Sequence, residues 1–165
     1  MDIFTPAKRS EIMSRIRGRT KPELRLYEIV RTVVGPRRCI FRNYTRLLGS
    51  PDVFVPTLSL AFFVDGCFFH GCPIHGHIPQ TNSDFWDRKI LRNKRRDRRY
   101  TRKLRQDGIS VWRFWEHELK TSLALENSLR RVKLAVERQM TSRPADRTFG
   151  VAASGHGGGA RRLLR

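Results

Sequence analysis

With 165 residues the chain is long enough to bury one core and short enough to be read as a single folded domain. Its 34 Lys and Arg outnumber 15 Asp and Glu, a formal net charge of +19, which points to a polyanionic partner, most often nucleic acid, with an anionic membrane surface as the rival. No apolar run approaches the ~18 residues of a spanning helix, residues 1–6 do not read as a signal peptide, and 3 cysteines, two of them clustered, suit a reducing cytoplasm better than a disulfide framework.

Residues 5–19 read as a basic arm with a short helix, in which Ile12, Met13 and Ile16 form a small apolar face flanked by Lys8, Arg9, Arg15, Arg17 and Arg19. Thr20-Lys21-Pro22-Glu23 opens a helix as a capping box, so Glu23 reads first as a cap. Leu24, Tyr27, Val30 and Val34 then recur at helical spacing, and Gly35-Pro36 stops the helix. Cys39-Ile40-Phe41 reads as a strand, Gly49-Ser50-Pro51-Asp52 as a turn, Val53-Phe54-Val55 as a second strand, and residues 58–64 as a buried core strand paired antiparallel to it. Asp52 stands at the edge of this sheet, where it reads equally as a turn residue or a site residue.

The core strand runs into Asp65-Gly66-Cys67-Phe68-Phe69-His70-Gly71-Cys72-Pro73-Ile74-His75-Gly76-His77, a C-x4-C-x2-H-x-H pattern. Zn²⁺ takes thiolates and imidazoles, usually four, and the glycines and proline let closely spaced ligands converge. A Gly-rich loop with two free thiols and solvated histidines is the bland alternative. A long helix follows over about residues 84–107, with eleven Lys and Arg against four Asp and Glu. Trp86, Ile90, Asn93, Asp97, Tyr100 and Leu104 share its inward face. Asn93 and Asp97 are costly to bury there unless paired, which suits a bracing role toward the loop or an active site. Residues 109–115 form another strand, and His117 at its end is available as a fourth metal ligand. An amphipathic helix spans 122–140, and the Ser/Arg/Gly-rich tail 141–165 reads as disordered.

In that order of motifs, over about residues 5–120, the sequence resembles the very-short-patch repair (Vsr) endonucleases, which nick DNA at T:G mispairs left by deamination of 5-methylcytosine. The resemblance rests on Thr-x-x-Glu at 20–23, Pro51-Asp52 before a strand, Gly66-Cys67-Phe68-Phe69-His70, Gln80-Thr81-Asn82, Phe85-Trp86, Asn93 with Arg96-Asp97, and Trp115-Glu116. It implies a restriction-endonuclease-like α/β fold, a central mixed β-sheet flanked by helices with a structural zinc loop. It also implies a Mg²⁺-dependent active site: Asp52 and the Val64 carbonyl on the metal, His70 as the catalytic base, and Glu23 orienting its imidazole. Cys67, Cys72, His75 and His117 fall on zinc ligands, with His77 competing for the third place. Phe68, Phe69 and Trp86 fall on residues that wedge into the duplex, with Arg15, Arg88, Lys89, Arg92 and Arg96 as its phosphate contacts.

Two departures from the family pattern stand out. Phe69 replaces a tryptophan, and Asp65 stands where the best-known member has a histidine, so its carboxylate is counted with the catalytic group, where it adds a metal ligand or changes the metal preference. The implied partner is double-stranded DNA with a T:G mismatch. The enzyme is expected to be a bacterial cytoplasmic monomer, with mismatch-repair proteins as a further partner class. The rival readings are a restriction-associated endonuclease that needs no mispair and a non-catalytic zinc-stabilised DNA-binding protein.

Overall fold

The computed structural model describes residues 20–142. The basic arm with Arg15 lies outside them, as does the tail beyond Ser142. Helix α1 (Lys21–Val34) begins as the sequence predicts: Thr20 caps it, Glu23 closes the capping box, and Pro22 fills the first turn. Its buried seam, however, is Leu26, Val30 and Val34, spaced by four, and Leu24 is only half-buried. The sequence expectation chose Leu24 from spacing alone; which stripe turns inward depends on where the sheet lies.

The sheet has four strands in the order β1 (Phe41–Arg42), β2 (Val53–Val55), β3 (Leu60–Asp65) and β4 (Ser110–Trp115). The first three pair antiparallel and β4 joins β3 in parallel, which makes the sheet mixed. The first strand is shorter than its apolar run suggested, and Cys39 lies outside it, exposed. Pro56–Leu58 forms a 3-10 turn in place of the start of a long strand, so β3 begins only at Leu60. Helix α2 (Ser83–Gln106) and helix α3 (Ser122–Ser142) match the predicted spans to within two residues. No helix among the described residues is long and apolar enough to cross a membrane.

Side-chain alternation divides the core between the two faces of the sheet. Val53, Val55, Leu60, Phe62 and Phe114 pack against Leu26, Val30 and Val34 of α1 and Val132, Ala135 and Val136 of α3. Phe54, Ala61, Phe63 and Val111 face the other way, against Leu104 of α2. The same alternation continues past the strand ends. Asp65, two residues after Phe63, and Arg113, two after Val111, therefore emerge on the α2 face, where the core gives way to polar side chains.

Phe62 is fully buried at the centre of the larger core and meets the Phe114 ring at 6.3 Å. Phe62→Ala is expected to destabilise the protein by ~3–5 kcal/mol, read as a lowered urea midpoint with an unchanged m-value.

Candidate active site

Strands β3 and β4 run in parallel with Asp65 opposite Trp115. Two residues beyond that pair, Cys67 and His117 leave the sheet side by side. Cys72 returns to Cys67 through its backbone N–H (2.9 Å to the Cys67 carbonyl), in a loop also closed by the His70 and Gly76 N–H groups. Gly71 lies so close to α2 that a Cβ there would come within 2.8 Å of Ile90 and 2.5 Å of Lys94, at a φ of +61° that already favours glycine. The turn carrying His117, Glu116–Leu119, is braced from both neighbouring helices. Arg25 donates to the Leu119 carbonyl at 2.7 Å, Ser128 to the Glu118 carbonyl at 2.9 Å, and Arg131 pairs with the Glu118 carboxylate at 2.5 Å.

As a result one ligand atom each from Cys67, Cys72, His75 and His117 falls within 4.8 Å of the others. Cys67 Sγ is 3.3 Å and Cys72 Sγ 3.6 Å from His117 Nδ1, and Cys72 Sγ is 4.0 Å from His75 Nδ1. Burial and the neighbouring Cys72 thiol push the Cys67 thiol up, opposed by a hydrogen bond donated by the His117 backbone N–H. Two thiols and two imidazoles at these distances suit Zn²⁺. His77 lies outside the group, its ring 5.9 Å from that of Phe68.

On the α2 face Asp52 receives the Val64 N–H at 2.7 Å. Burial nonetheless raises its carboxyl to about 7 against that hydrogen bond, helped by the charges of Glu23 and Asp65 and opposed by Arg113. A half-buried carboxylate with Glu23 and Asp65 as charged neighbours, in a cavity of about 430 Å³ that Val64 also lines, fits a hard divalent cation.

His70 lines the same cavity. Its Nδ1 lies 2.6 Å from Asp97 Oδ2 and 3.4 Å from Asp65 Oδ1. Burial acts to raise Asp97, but the His70 hydrogen bond and the charges of His70, Arg113 and Arg96 outweigh it and hold the carboxyl below its usual range. Asn93 donates to the Phe69 carbonyl at 2.9 Å, so both polar residues of the inward helix face grip the loop.

Two expectations change here. Glu23 was expected to orient His70, yet its carboxylate closes the α1 cap and touches the site only through its charge on Asp52; Asp97 holds the imidazole, because α2 passes directly over the loop. Asp65 was expected either to add a metal ligand or to change the metal preference; both its oxygens are taken by Arg113, through Nε at 2.6 Å and through Nη2. Sequence reasoning missed Arg113 altogether; a lone charge within an apolar strand, at 113, was the available signal.

Beside the loop Phe68, Phe69 and Trp86 gather, with Phe68 4.9 Å from Trp86 and 5.1 Å from Phe69. Phe69 and Phe85 are exposed, and Lys89 sits 5.1 Å from the Trp86 ring. Arg88 and Arg92 of α2 line an adjoining hollow next to Phe85, and Arg96 lines the carboxylate cavity. A second cavity of about 780 Å³ shares His70, Asp97 and Arg113 as its wall and is lined along α2 by Lys94, Arg98, Arg102 and Arg105.

The profile of the family described as DNA mismatch endonuclease Vsr matches residues 1–75. The chain is 37% identical over 134 residues to the type II nicking enzyme V.NmeAIP of Neisseria meningitidis serogroup A, covering 79% of this chain and 93% of that one. It is 36% identical over 135 residues to the type II nicking enzyme V.XorIIP of Xanthomonas oryzae, covering 79% and 96%. To the DNA mismatch endonuclease Vsr of Escherichia coli it is 33% identical over 125 residues, covering 72% and 76%.

The raised carboxyl at Asp52 has a stability consequence. An unfolded Asp ionises near 3.8 and this one near 7, so the native state binds the extra proton, and the stability it contributes is lost as pH rises through that window. Asp52→Asn keeps an acceptor for the Val64 N–H and carries no charge. With metals chelated it should be more stable than the parent at pH 8, by up to about 4 kcal/mol, with the gain gone at pH 4. Equal melting temperatures at pH 8 would contradict the assigned environment.

Proposed function

Because the chain belongs to the Vsr family of DNA mismatch endonucleases, we propose that this DNA endonuclease nicks one strand of a duplex at T:G mispairs and that its hydrolysis depends on Mg²⁺. The observation that carries the reading is the His70–Asp97 pair set beside Asp52 in one cavity. With Nδ1 hydrogen-bonded to a carboxylate, the imidazole keeps its proton there and leaves Nε2 free to take one from water. Asp97 fixes the ring and stabilises the imidazolium that forms. Asp52 and the Val64 carbonyl would hold Mg²⁺, which when bound neutralises charge on the phosphate and the leaving oxygen. Cys67, Cys72, His75 and His117 would hold Zn²⁺; four protein ligands leave no open position, so its work is to fix the loop that carries His70.

Mismatch selectivity is assigned to Phe68, Phe69 and Trp86. Inserting rings between base steps costs a few kcal/mol of unstacking, and a mispaired step costs less. Arg88, Lys89, Arg92 and Arg96 stand on the same helix as Trp86, and phosphate contacts beside the wedge are assigned to them. A second reading, nicking without a mispair, draws on the names of the relatives from Neisseria and Xanthomonas, which speak of nicking and not of mismatches.

Two experiments test these assignments. Single-turnover assays on matched and T:G duplexes, with and without Mg²⁺, should give nicking only with both the mispair and the metal; equal rates on the matched duplex favour the second reading. In the same assay His70→Ala should bind the mispaired duplex like the parent and nick at least ~10²-fold more slowly. Elemental analysis should find one zinc per chain, lost in His75→Ala together with thermal stability and kept in His77→Ala. A parent free of zinc removes the structural assignment.

A further inference from the structure

Asp65, His70 and Asp97 bring one ligand atom each to within 4.8 Å of one another, a donor set of the kind that draws a cation. Arg113 already stands among them. Its Nε and Nη2 take both oxygens of Asp65, and Nη2 lies 3.7 Å from Asp97 Oδ2. Strand register explains the meeting: Arg113 is opposite Phe63 in the parallel β3–β4 pair, so it is the diagonal neighbour of Asp65 on the same face. The guanidinium is held against the Phe63 ring, 4.9 Å from its centroid. Arg131 fixes the strand from the other side by donating to the Arg113 carbonyl at 2.7 Å.

Asp52 differs from Asp65. Among the described residues its carboxylate accepts one hydrogen bond, from Val64, and Arg113 acts on it through charge. Within the described residues the site thus holds one carboxylate paired in bidentate fashion with an internal cation and one that is not.

We propose that the Arg113 guanidinium takes the place of a second metal ion, so that the active site is built for a single divalent cation, at Asp52. The guanidinium is always charged, bidentate and pre-oriented, and it needs no cation from solution. By holding Asp65 it keeps the Asp97 carboxylate free to orient His70. The inference rests on the assignment of the catalytic cation to Asp52 made above, and Arg113 acts as a positioning residue.

Mn²⁺ titration of the zinc-loaded protein, followed by electron paramagnetic resonance, reads the number of ions directly. The parent should bind one magnetically isolated Mn²⁺ per chain, lost in Asp52→Asn, and its nicking rate should rise linearly with Mn²⁺ below saturation. Arg113→Met frees Asp65 and Asp97 and should admit a second ion, so that the titration ends at two Mn²⁺ per chain. Arg113→Lys, which keeps the charge, should stay with one ion. Two ions bound by the parent overturn the proposal and leave the catalytic reading standing, and this arm decides even if Arg113→Met does not fold. A folded Arg113→Met that still binds one ion also overturns it. No bound Mn²⁺ in the parent removes the cation from Asp52, and both readings fall together.

Discussion

The parallel pairing of β3 with β4 is the constraint on which the rest of this structure depends. Its register sets Asp65 opposite Trp115 and Phe63 opposite Arg113. One consequence is the Cys67–His117 meeting just beyond the strands, which begins the four-ligand cluster. The other is the Asp65–Arg113 pair, which begins the polar network under α2. A slip of one residue would turn every side chain of β4 to the opposite face. Arg113 would then point into the apolar core around Phe62, and the cluster would lose its fourth member.

Helix α2 supplies the second half of the site. Its inward face is apolar at Ile90 and Leu104, where it covers the sheet, and polar at Asn93 and Asp97, where it covers the loop. Both polar residues are paired, so the cost of covering them is offset. The same helix carries Trp86 and Lys89 toward the aromatic cluster and Lys94, Arg98 and Arg102 into the larger cavity. One rigid element therefore sets the distance between His70, the aromatics beside it and two basic flanks. Placement on a helix is more reproducible than placement on a loop alone.

The electrostatics of the site are uneven by construction. Arg113 and Arg96 sit over Asp65 and Asp97, whereas Asp52, half-buried with Glu23 nearby, has no ion pair among the described residues. That imbalance distinguishes the carboxylate that would take a metal from those that hold the machinery in place. Proximity alone does not distinguish them, since Asp65, His70 and Asp97 also form a compact group.

Features that depend on near neighbours are legible in the amino-acid order alone. The capping box at Thr20 and Glu23, the span of α2 and its polar residues at Asn93 and Asp97, the antiparallel β2–β3 pair and the clustering of Cys67, Cys72 and His75 all follow from spacing and turn chemistry. The choice of His117 joined that cluster from 45 residues away because a strand end was recognised before it. Which groups face one another across the fold emerges from long-range packing. Leu26 in place of Leu24, Asp97 in place of Glu23 at the imidazole, and Arg113 closing on Asp65 each depend on strand register and helix placement. Those are set by long-range packing, and a single chain's spacing carries no record of them.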